Sequence, residues 1–160
     1  MRLDLATARQ IIAGAQAHGA QAGLKPLTVV VLDAGANVIV AERQDGSSNK
    51  RFEIAFGKAN GALALGMGSR ALMARAEQQA YFISAAAGAI GGALVPVPGG
   101  VLLRDRVGAG AAGESGAGAA GGEGPGPIIG AVGISGDSSD NDEAAAVAGA
   151  RAAGLEAQVD

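Results

Sequence analysis

Ile128-Ile129-Gly130-Ala131-Val132-Gly133-Ile134-Ser135-Gly136-Asp137 is the stretch whose reading decides the fold. Ile128, Val132 and Ile134 supply the β-branched bulk of a buried pleated strand, while Gly130 and Gly133 leave room for another backbone or a ligand to come close. The run ends in a polar turn and feeds an alanine-rich segment, so it is predicted to be the central strand, followed by a helix over Ser138 to Gly154. Upstream, Pro98-Gly99-Gly100 is a second glycine site. The two together predict a sheet with a small-molecule pocket beside it.

Working outward towards the N-terminus, Leu5, Ala8, Ile11, Ile12, Ala15 and Ala22 fall on one stripe of a helix from Leu5 to about Ala22. Asp4 is its expected N-cap and Gly23 its stop. Thr28-Val29-Val30-Val31-Leu32 and Val38-Ile39-Val40-Ala41 read as strands of a hairpin, joined by the turn chemistry of Asp33 to Asn37. Phe52, Ala55, Phe56, Ala59 and Leu63 recur at helical spacing. Ser69 is a candidate cap for a further helix holding Leu72, Met73, Ala76 and Ala80.

Ala80 to Leu103 carries no charge, yet its glycines and prolines would interrupt a spanning helix repeatedly, which favours burial inside the sheet over a membrane. Leu94-Val95-Pro96-Val97, expected at an edge, and Val101-Leu102-Leu103 are the remaining candidate strands. Residues 108–126 are low-complexity Gly/Ala and read as a flexible inserted loop. Their two matches to a dinucleotide-binding turn lack the strand and helix that such a turn requires.

The chain has 160 residues, which fits one domain over 1–160. Aromatic residues make up only 2%, so the core must be built from small aliphatic side chains. Burial contributes about 25 cal/mol per Å² of apolar surface, and so thin a core favours recruiting more area from a second copy. A formal charge of −3 with no Lys/Arg cluster argues against nucleic acid. The absence of cysteine excludes disulfides, thiolate metal sites and a thiol nucleophile. No metal site is expected, and with no signal peptide visible the cytoplasm is the default.

The ordered set Val30-Val31-Leu32-Asp33-Ala34-Gly35, Glu42-Arg43-Gln44-Asp45-Gly46, Ile54-Ala55 with Lys58-Ala59, Pro98-Gly99-Gly100-Val101 and Ile129 to Gly136 resembles the GlcG/HbpS family of haem-binding or haem-degrading domains, also found at the end of some corrinoid adenosyltransferases. The resemblance implies an α/β (α+β), profilin-like domain with a mainly antiparallel five-stranded sheet flanked by helices. It implies a homo-oligomer, from dimer to octamer, and haem as the ligand. Gln44 stands where a methionine is common in the family.

His18, the one histidine, is the only imidazole available as a haem axial ligand or as a base near neutral pH. Its plainer reading is a half-buried residue at a helix or subunit boundary. Met67, Met73 and Tyr81 are further haem contacts to consider, though methionine at helical spacing usually fills a core. Arg43 and Lys58, near glycine-rich backbone, are candidates to hold a carboxylate of haem or of a small organic acid. Asp45 would orient Arg43 or take a proton; otherwise Arg43 and Asp45 form a pair that fixes the loop. Gly99 and Gly100 can present N–H groups to a ligand or to a developing oxyanion.

The leading expectation is therefore an oligomeric small-ligand-binding protein. The alternative is an enzyme that isomerises, tautomerises or hydrolyses a small carboxylate, with His18 or Asp45 moving the proton. The acidic group Asp137, Asp140, Asp142 and Glu143 is accounted for at this level by the dipole of the helix it opens.

Overall fold

The computed structural model describes residues 3–106 and 125–160. In chain order the elements are α1 (Leu5–Ala22), β1 (Thr28–Asp33), β2 (Val38–Arg43), α2 (Arg51–Leu65), α3 (Ser69–Gln78), α4 (Ala80–Ala89), β3 (Gly100–Arg104), β4 (Ile128–Ser135), α5 (Ser139–Ala152) and β5 (Glu156–Gln158). The strands form one sheet in the order β2-β1-β4-β3-β5, with every neighbouring pair antiparallel. β4 is the central strand, as its composition predicts.

Alternation along the strands divides the core. Val29, Val31, Val101, Val132 and Ile134 face α1 and α5, against Ile11, Ile12, Ala145 and Ala146. Val30, Leu32, Leu102 and Ala131 face α2, against Ala55, Ala59 and Ala62. With alanines on the helix, α2 fills the space only by lying close to the strands. Glycines in the sheet permit this: a Cβ on Gly133 would stand 1.9 Å from the Ala55 carbonyl oxygen, and one on Gly100 2.3 Å from that of Lys58.

Local chemistry fixes the ends. The Asp4 carboxylate accepts from the Thr7 N–H at 2.8 Å and so satisfies an otherwise unpaired first-turn donor, and Gly23 ends α1 at φ 65°. Asp33 Oδ1 accepts from the Gly35 and Asn37 N–H groups and closes the β1–β2 turn.

Three expectations need correction. Residues 94–97 are not a strand. Pro96 and Pro98 have no N–H for a ladder, and the segment instead lies along α2, where Val95 N–H donates to the Gly57 carbonyl and Leu94 touches Gly61. The fifth strand is β5, pairing Leu102 with Gln158 and Arg104 with Glu156. Ser69 is no cap: Gly68 holds that position, and the buried Ser69 hydroxyl accepts from the Gly100 N–H at 2.7 Å.

The helix expected over Leu72 to Ala80 breaks at Gln79, and α4 runs on to Ala89. α5 stops at Ala152, just before Gly154 at φ 75°. The inserted Gly/Ala loop and its glycine patterns lie, apart from Gly126 and its neighbour, outside the described residues. No helix among the described residues is long and apolar enough to cross a membrane.

Candidate functional site

The antiparallel ladder brings three chain reversals to one end of the sheet, because Thr28 at the start of β1 lies opposite both Arg43 at the end of β2 and Ser135 at the end of β4. Side chains tie the reversals together. Gln44 Oε1 accepts from the Leu27 N–H at 2.7 Å, and the Gln44 N–H donates back to the Leu27 carbonyl at 3.0 Å. Thr28 and Ser47 share a buried hydroxyl contact of 2.8 Å. The Lys25 N–H donates to Asp137 Oδ2 at 2.9 Å.

These reversals wall an open cleft of about 190 Å³, lined by Lys25 and Pro26, by Gly46 to Ser48, by Gly136, and by Arg51 at the head of α2. Arg51 is held by hydroxyls alone: its Nε donates to Ser48 Oγ and its Nη1 to Ser135 Oγ, each at 3.1 Å. Among the described residues no carboxylate lies within ion-pair distance of it. Asp137, beside the cleft, is already engaged. The Lys25, Ser138 and Asn141 donors hold its carboxyl well below the usual range, at about 2.

Beneath the cleft lies a closed polar cluster. Lys58 Nζ donates to the Ile134 carbonyl at 2.8 Å and to Asp142 Oδ2 at 3.0 Å, and Asp142 Oδ1 accepts from the Asp137 N–H at 2.9 Å. Both side chains of the ion pair are at most 2% exposed. Burial pushes Lys58 below its ordinary value and Asp142 above its own, outweighing the attraction between them. Gly99, at φ 120°, passes directly over the ammonium, where a Cβ would stand 2.8 Å from Nζ.

Of the residues singled out in the sequence, then, Lys58, Gly99 and Gly100 come together, but in a buried cluster whose Gly100 N–H is given to Ser69. Arg43 is exposed at the end of β2, its guanidinium donating to the Ser47 carbonyl, and Asp45 is exposed in the loop that follows. His18 is half-buried on α1, which packs on the sheet face opposite α2. The acidic group is explained by partners as well as by the dipole. Arg70 bonds Asp140 and Glu143, and these bonds raise its already high pKa.

Sequence reading missed Arg51 and Lys25. One signal was present, because an arginine opening a helix sits against the positive end of its dipole, an arrangement that costs energy unless an anion faces it.

A second feature flanks the cleft. Val38 and Ala41 of β2 stand opposite Leu32 and Val30, so they share the α2 face of the sheet, and so does Arg43 opposite Thr28. On α2, which covers this face, Phe52 and Phe56 stack with centroids 6.1 Å apart. Val38 is 48% and Phe52 37% exposed. The result is an apolar shelf with a cation at one end.

The sequence matches the family described as haem degrading protein HbpS-like over residues 3–124. The chain belongs to this family. Among solved structures, a complex of PduOC with heme has the same fold, at 22% identity and TM-score 0.76, with 98% of each chain covered. Klebsiella pneumoniae protein ORFY is similar at 19% identity and TM-score 0.76, covering 96% of this chain and 92% of that one. A double mutant of Streptomyces reticuli HbpS matches at 23% identity and TM-score 0.70, over 94% and 86%. No curated protein sequence matches the chain.

Proposed function

We propose that this protein binds a haem-related small ligand, with the flat apolar part of the ligand on the shelf and a carboxylate at Arg43. The observation that carries the reading is the shelf itself, in which exposed Val38 and Ala41 share a sheet face with Arg43, and exposed Phe52 stacks with Phe56 on α2, the helix that covers that face. A tetrapyrrole has this pattern, an apolar disc with carboxylates on one edge. The family description and the PduOC complex with heme support the choice of ligand.

The fit is to a surface rather than to an enclosed pocket. The cleft of about 190 Å³ is smaller than the roughly 300–1,000 Å³ of most small-molecule sites, so it does not enclose a macrocycle. A second copy closing over the shelf would bury the disc and add apolar area to a core made of small residues, and we propose a homo-oligomer on that ground. The His18 imidazole lies across the sheet from the shelf. Within this reading, an axial bond from His18 would come from such a second copy.

The test is an absorbance titration with haemin of the native protein, Arg43→Ala, Phe52→Ala and His18→Ala. The expected result is a saturable Soret shift, weakened about tenfold by loss of the charge-assisted bond in Arg43→Ala and similarly by Phe52→Ala. Non-saturating adsorption indifferent to all three substitutions would overturn the reading.

A further inference from the structure

We propose that the cleft at the end of the sheet is a separate site for a free small organic acid, bound through its carboxylate by Arg51 and Lys25. The inference does not rest on haem binding. Of the basic side chains at this end of the fold, exposed Arg43 has the Ser47 carbonyl for its partner and three others have carboxylates. Lys58 is matched by Asp142, Arg70 by Asp140 and Glu143, and Lys50 by Glu53. Arg51 is half-buried, yet it has two neutral hydroxyl oxygens and no carboxylate among the described residues.

A guanidinium partly withdrawn from water and left without a counter-charge is costly. Arg51 sits in the first turn of α2, whose N-cap residue Lys50 makes no side-chain capping bond and whose one acidic residue, Glu53, is paired with Lys50. Asp137, whose oxygens accept from Lys25, Ser138 and Asn141 donors, makes no bond to Arg51.

The geometry fits an anion from outside. Ser48 and Ser135 fix two N–H groups of Arg51, and the rest of the guanidinium fork remains for a carboxylate. Lys25 lines the same cleft, with its backbone N–H bonded to Asp137 and its charge close enough to act on that carboxylate. The volume of about 190 Å³ is below the roughly 300–1,000 Å³ of most small-molecule sites, which suits a short carboxylic acid.

The experiment is a titration with malonate, followed by backbone amide shifts at matched ionic strength, on the full chain and on Arg51→Gln and Lys50→Gln. Lys50→Gln removes one charge at the same helix end without touching the cleft. Circular dichroism and the thermal midpoint of Arg51→Gln confirm that the variant is folded. The expected result is saturable shifts over residues 46–51 and 136–137, weakened at least tenfold by Arg51→Gln and unchanged by Lys50→Gln.

Shifts equal to those with chloride, equal affinity in Arg51→Gln, or saturation with inorganic phosphate but not malonate would each overturn the proposal. Because Arg43 and the shelf lie outside the cleft, failure here leaves the haemin titration unaffected, and failure of that titration leaves this one standing.

Discussion

Arg51 and Lys58 stand on the same side of one helix, seven residues or about two turns apart, yet the protein treats them in opposite ways. Lys58 is sealed beneath the sheet end with a buried carboxylate and a carbonyl for partners. Arg51 faces an open cleft with hydroxyls for partners. The inner cation joins α2 to β4 and α5 and so holds the Gly136-Asp137 wall of the cleft in place. The outer one keeps its charge for something else. The contrast separates a charge spent on architecture from one available for recognition.

The largest effect should come from breaking the inner pair. Lys58→Ala leaves Asp142 buried without its cation and should cost about 3–5 kcal/mol. Urea unfolding would measure it. Lys58→Met combined with Asp142→Leu should be less damaging than either single change, because no charge then remains buried. An additive or worse double mutant would mean that the ion pair does more than satisfy itself.

The outer cation should behave differently. Arg51→Gln forfeits one exposed and one part-buried hydrogen bond but relieves a cation at the positive end of α2, so the change in stability should stay under about 2 kcal/mol, well below that of Lys58→Ala. The same urea experiment decides it. A loss comparable to that of Lys58→Ala would make Arg51 architectural and dissolve the contrast.

The smallest effect concerns Asp137, which separates the two regions. Its carboxyl is depressed from 3.8 to about 2 by donors of the folded state, the Lys25 N–H first. A depressed acid favours the folded state above its unfolded value, so the contribution is complete above pH 3.8 and lost as pH falls through about 2. Thermal midpoints of the native protein and Asp137→Asn should therefore differ near neutrality and converge towards pH 2. A gap that persists in acid would show that geometry, not charge, is what Asp137 supplies.

Much of the fold was legible because it depends on near neighbours. The β-branched runs of β1 and β4, the Asp4 cap, the Gly23 stop and the Asp33 turn are decided within a few residues, and the structure has them where local chemistry predicts. The errors occur where a remote partner decides. Residues 94–97 have strand-like composition, but Gly57 and Gly61 offer them a helix surface instead. Glu156 to Gln158 has nothing strand-like about it, and becomes β5 because the edge of β3 is open beside it. Among candidate site residues, Lys58, Gly99 and Gly100 were noticed as separate signals, and only folding reveals that they form one closed cluster.

By itself, then, the sequence determined α1, the β1–β2 hairpin, the central place of β4 and the thinness of the core, since each depends on periodicity and residue size, while the ordered motifs pointed to the antiparallel family fold. The tertiary structure alone decided which charges are paired. Asp142 lies 84 residues from Lys58 and Glu143 lies 73 from Arg70. Whether a basic side chain is matched or left facing a cleft depends on distances of a few ångströms between segments that the linear chain keeps far apart.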